Sequence, residues 1–97
     1  MYASVAIFMS QPGKLDELLT AFRDKIVPVI KESAIQHEYV LTDAKTNKVI
    51  AIALYETEAE AEQMQISGEF QRLIGMMADT LIVESVTRGG YDVSIQV

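Results

Sequence analysis

Val49-Ile50-Ala51-Ile52-Ala53-Leu54-Tyr55 is an unbroken apolar run, bounded by Asn47-Lys48 on one side and Glu56-Thr57 on the other. A run this short and rich in β-branched residues reads as a strand buried on both faces. In a chain of 97 residues, two amphipathic helices cover only one face of a small sheet. The other face needs a second cover, and another copy of the chain supplies it at least cost. The run therefore predicts a dimer of a single domain spanning 1–97. It leaves open whether Ala51 and Ala53 or Ile50 and Ile52 form the partner-facing side.

Working outward, the polar turn Asp43–Lys48 leads back to an alternating stretch in which Ile35, His37, Tyr39 and Leu41 share one face. This is strand 2. Tyr2–Ser10, ended by Gln11-Pro12-Gly13, is strand 1. Leu15, Leu18, Leu19, Phe22, Ile26, Val29 and Ile30 then fall on one helical face, and Pro28 predicts a kink or a looser last turn. After the run, Thr57-Glu58-Ala59-Glu60 is a capping box that starts a helix, and Ser67-Gly68 breaks or bends it. A further helical face comprises Phe70, Leu73, Ile74, Met77 and Leu81. Tyr91, Val93, Ile95 and Val97 alternate with polar residues and predict the last strand, with a bulge or bend at Gly89-Gly90. The order is βαββαβ, an α+β ferredoxin-like arrangement with both helices on one face of a four-stranded antiparallel sheet. Its last strand can cross to a partner, and two bare sheet faces can close into a homodimeric α+β barrel.

Composition narrows the function. A net charge of −6 with no Lys/Arg cluster argues against nucleic acid and anionic membranes as partners. Without cysteine there is no disulfide, thiolate nucleophile or sulfur metal site. No apolar stretch approaches the roughly 18–20 residues that span a bilayer, and no basic leader precedes strand 1, so a cytoplasmic location is expected. No phosphate loop, dinucleotide fingerprint, nucleophile elbow or zinc-peptidase motif occurs, so no cofactor is expected.

Several of these residues together resemble a known family. Pro12-Gly13-Lys14 opening the first helix, Val27-Pro28 near its end, Leu54-Tyr55-Glu56-Thr57-Glu58 before the second helix, Ser67-Gly68 and Tyr91-Asp92-Val93-Ser94 look like the antibiotic biosynthesis monooxygenase superfamily. The resemblance runs over nearly the whole chain. It implies a dimeric α+β barrel and an activity among cofactor-independent oxygenases of polycyclic phenols or haem-degrading enzymes. The chain departs from the pattern where Tyr55 stands for a common Trp and Ala34-Ile35 for a Gly-Phe pair. The Asn, Trp and His used by the haem-degrading branch correspond here to Ala6, Met64 and Ile74, so haem degradation is not expected.

Candidate residues follow from this frame. His37 is the only histidine, so any histidine base or metal ligand must be this one; a single His makes no metal site. Its simpler reading is a packed strand-end ring. Tyr55 and Tyr39 are phenols placed to orient a phenolic substrate, although Tyr55 serves equally as packing. Phe22, Met64, Phe70 and Met77 are candidate walls of a cavity between helices and sheet, or ordinary core. Arg72 and Arg88 read most simply as solvated surface residues, and Glu56, Glu58, Glu60 and Glu62 as a solvated helix start that favours the dipole. The function this supports is a cofactor-independent monooxygenase acting on a phenolic or quinol-type apolar aromatic molecule, with His37 as proton acceptor. The alternative is a non-catalytic ligand-binding or assembly module of the same dimeric fold.

Overall fold

In the computed structural model, which describes residues 1–97, the apolar run lies in strand β3 (Lys48–Tyr55) between β2 (His37–Asp43) and β1 (Tyr2–Ser10). Strand β4 (Leu81–Asp92) pairs with the free side of β1, giving the order β2-β3-β1-β4 with every pairing antiparallel. The first helical stretch comprises α1 (Leu15–Ala21), a π-helical turn (Phe22–Ile26) and α2 (Val27–Lys31); α3 (Glu58–Ile66) and α4 (Glu69–Met76) follow β3. This is the βαββαβ ferredoxin-like order.

Strand β3 answers the question its sequence left open. Val49, Ala53 and Tyr55 are buried and Ala51 packs on the core, whereas Ile50, Ile52 and Leu54 are only half-buried. The isoleucines therefore face away from the helices. The core forms where Phe8 and Val49 meet Leu18, Phe22 and Ile26 of the first helical stretch, with Leu73 of α4 and Met77 just beyond it.

Local chemistry sets the helix ends. The Val27 N–H donates to the Phe22 carbonyl, five residues back, and Pro28 just beyond brings no N–H of its own. The kink expected at Pro28 is realised as this wider turn, and both Phe22 and Ile26 stay buried. Thr57 caps α3, its hydroxyl accepting from the Glu60 amide at 3.3 Å. Gly68, at φ 79°, makes the left-handed step from α3 to α4 that a Cβ would strain.

Two expectations need correction at the C-terminal end. The helical face does not reach Leu81, because α4 ends at Met76 and Leu81 opens β4. The last strand is not Tyr91–Val97, since β4 spans Leu81–Asp92 and residues 93–97 lie outside the sheet. A bulge hides the first half of β4: Ile7 pairs with Thr87 but Met9 pairs with Ile82, so the alternation breaks there and not at Gly89-Gly90, which pair regularly with Val5 and Ser4. Ser85 patches the gap, accepting from the Met9 N–H at 2.8 Å and donating to the Ile82 carbonyl at 2.6 Å.

Candidate functional site

The register places small residues in two rows across the helix-facing side of the sheet. One row runs Glu38, Ala53, Ser4, Gly90 and the other Val40, Ala51, Ala6, Arg88, each from β2 through β3 and β1 to β4. Alanine, serine and glycine cannot fill the space beneath the helices, so a cavity remains there. Phe22, Ile26 and Ile30 of the first helical stretch roof it, together with Met64 of α3, Phe70, Leu73 and Ile74 of α4, and Met77. The cavity volume is about 60 Å³.

Four polar side chains break the apolar lining, one from each strand: Ser4 on β1, Glu38 on β2, Tyr55 on β3 and Arg88 on β4. Glu38 and Arg88 sit on the two edge strands, with backbones three strand spacings, roughly 14 Å, apart. Burial pushes the Glu38 carboxyl up to about 8, and its Oε2 is buried with no hydrogen-bond partner. Arg88 is held on two sides: its Nε donates to the Ser4 hydroxyl at 3.0 Å, and its guanidinium lies 4.4 Å from the centre of the Phe70 ring. Its Nη1 is buried and unpartnered. Tyr55 is 1% exposed, and its hydroxyl donates to the Met64 sulfur at 3.3 Å. Burial raises the Tyr55 phenol chiefly; Arg88 opposes that shift, and Glu38 adds to it.

Among the residues expected from sequence, Phe22, Met64, Phe70, Met77 and Tyr55 all line this cavity. His37 and Tyr39 do not. Both are exposed on β2, where they pair with Leu54 and Ile52 on the face away from the helices. Strand alternation is the reason: if Glu38 and Val40 point under the helices, their neighbours point away. The side of β2 that carries His37, Tyr39 and Leu41 is the bare sheet face. His37 and Tyr39 are thereby separated from the cavity that holds the other candidates.

Arg88 corrects the surface reading of the arginines, whereas Arg72 keeps it through an exposed ion pair with Glu69. Nothing local in the sequence marks Glu38. The only signal for it was the register that sets it beside Ala53 and in line with Ser4, and such non-local pairing is invisible in a single strand. Ala6, Met64 and Ile74, the positions matched to the haem-degrading branch, all lie in the cavity wall. No three His, Cys, Asp or Glu side chains come together as a metal site would require, and no helix is long and apolar enough to cross a membrane.

No protein-family model and no curated protein matches this sequence. Solved structures do match it in fold, which is the one shared by proteins named antibiotic biosynthesis monooxygenases. One such protein, provisionally so named, from Nitrosomonas europaea is 17% identical, with a TM-score of 0.75 over 98% of this chain and 100% of that one. A mutant of SnoaB, a cofactor-independent oxygenase from Streptomyces nogalater, is 12% identical with a TM-score of 0.75 over 99% of this chain and 95% of that one. A Mycobacterium tuberculosis protein is 15% identical with a TM-score of 0.71 over 98% and 96%. At these identities the likeness is one of fold.

Proposed function

We propose that this chain is a cofactor-independent monooxygenase acting on a small phenolic or quinol-type molecule, with Glu38 as the base. The observation that carries this reading is a partnerless carboxyl, raised to about 8, lining an apolar cavity that also holds an unpaired guanidinium nitrogen. A base of that strength suits abstraction of a weakly acidic proton near neutral pH.

In this mechanism ionised Glu38 takes the proton from an activated C–H conjugated to a phenol. The resulting negative charge spreads onto the phenolic oxygen, where Arg88 stabilises it. The carbanion transfers one electron to O₂, and the two radicals combine into a C–O bond. Protonated Glu38 returns its proton to the peroxide. Loss of the second C–H proton with cleavage of the O–O bond gives a carbonyl and water. The balance is CH₂ + O₂ → C=O + H₂O, with every electron taken from the substrate. Glu38 also borders an open groove lined by Phe22, Arg23, Ile30 and Lys31, which offers its proton a path to solvent.

Oxygen uptake with an anthrone or a reduced quinone, corrected for spontaneous oxidation, tests the reading. The enzymatic rate should rise with pH through a midpoint near 8 and level off about one unit higher, because only ionised Glu38 accepts the proton. Glu38→Gln should abolish it; an unchanged rate in that variant would end the proposal. The cavity size favours a second reading, a module that binds without turnover. At about 60 Å³ it is smaller than the ~150 Å³ apolar cavity that admits benzene, so an aromatic ring enters only if the mouth rearranges. Met64, in the cavity wall, is a flexible side chain suited to such movement.

The bare sheet face supports assembly with a second copy. Val5 and Ile7 of β1 pair with Ile52 and Ile50 of β3, which pair in turn with Tyr39 and Leu41 of β2. Tyr39 and Leu41 are about half exposed in the single chain, which leaves a continuous apolar surface. Ile95 and Val97 stand exposed just past β4, where the tail can extend along a partner's sheet edge.

A further inference from the structure

We propose that the cavity binds a small organic carboxylate on an apolar body, with its charged oxygens held by Arg88 and Glu38. This names the ligand class of the site; it rests on the cavity's being the functional site read above, and does not depend on the oxygen step.

Arg88 supplies the first part of the argument. A guanidinium carries five N–H donors, and burying one without a partner costs stability. Ser4 and Phe70 fix the group by its Nε and its face, yet Nη1 stays buried and unpaired beside the cavity. The clamp thus holds a donor that no protein atom uses. Glu38 supplies the second part. Its Oε2 is equally buried and unpartnered, and it does not neutralise Arg88, since the chain's ion pairs are Lys14–Glu17 and Arg72–Glu69. Held above the ordinary carboxylate range, Glu38 is mostly neutral at pH 7 and can donate its own O–H. The cavity then carries one fixed positive charge, donors from two strands and otherwise apolar walls. A neutral apolar guest leaves Arg88 unsatisfied, and a cation is repelled. A monoanion on an apolar body satisfies both groups.

The same geometry makes binding depend on pH. The groups around Glu38 are Arg88 on β4, Tyr55 on β3, Arg23 in the π turn and Lys31 on α2. Burial raises the Tyr55 phenol, away from the neutral range. Glu38, raised to about 8, loses its proton in this range, and once ionised it opposes a second negative group. Affinity for an anion should therefore hold near pH 7 and fall as pH passes the Glu38 titration.

Titration calorimetry tests this with benzoate and butyrate, each against its neutral alcohol, benzyl alcohol and butanol. At pH 7 at least one anion should bind about tenfold or more tightly than its alcohol. That affinity should drop about tenfold by pH 9. Glu38→Gln, which cannot ionise, should keep its affinity flat over the same range. Arg88→Met should erase the preference for the anion, and Arg88→Lys should restore part of it. The comparison in the unmodified protein stands without any variant. If neither anion is preferred, or if affinity is the same at pH 7 and pH 9, the proposal is overturned. Anion binding without oxygen uptake would support the site and sink the oxygenase reading. Oxygen uptake without anion preference would do the reverse.

Discussion

Replacing Glu38 with glutamine should change how the fold responds to pH. The carboxyl has an ordinary value of 4.5 and is pushed to about 8 by burial, so between these limits the folded chain holds a proton that the unfolded chain has released. Stability falls with rising pH wherever the unfolded state binds fewer protons. The stabilisation is full below about 4.5, is lost progressively, and is gone above about 8. At about 1.36 kcal/mol per pH unit the whole window is worth about 4–5 kcal/mol, and about 3 of that is lost by pH 7. This is a large share of the roughly 5–15 kcal/mol that holds a domain together. Glutamine keeps the volume and removes the titration. Urea unfolding of both proteins at pH 5, 7 and 8.5, at one protein concentration, isolates the effect as a difference. The two should agree within about 1 kcal/mol at pH 5 and diverge until Glu38→Gln is more stable by about 3–5 kcal/mol at pH 8.5. A difference independent of pH would refute the burial argument for Glu38.

Other substitutions separate the remaining parts of the account. Ile52→Glu, in the middle of the bare face, should leave the monomer folded and shift a dimer to monomer in analytical ultracentrifugation, because association would bury an unpaired charge. Thr57→Ala removes the α3 cap and should cost about 1 kcal/mol in chemical unfolding. Ala53→Val adds bulk to the cavity floor and should cost about 1–3 kcal/mol if the roof resists, while displacing benzoate from the calorimetric titration.

Much of the frame was legible in the chain, because its signals are local. Tyr2–Ser10 and the run through Tyr55 alternate or stay apolar over their whole lengths, and Thr57, Gly68 and Pro28 act within a turn of themselves. The cavity walls Phe22, Met64, Phe70 and Met77 were legible for the same reason. The polar residues inside were not. His37, Tyr39 and Leu41 make one side of β2 look like the core, yet that side is the bare face. Only the pairing of Glu38 with Ala53 shows which side lies under the helices. Arg88 was hidden by the bulge in β4, whose irregular middle erased the alternation that would have marked it as inward-facing. Both are products of register, and register joins residues far apart in sequence.

The most direct test of the central claim is a carbon-13 NMR titration of the Glu38 side-chain carboxyl in the folded protein, assigned with Glu38→Gln. A buried base in an apolar cavity predicts a midpoint near 8. A midpoint near 4.5 would place the carboxyl in contact with water or a cation, and would contradict both the base and the anion site built on it.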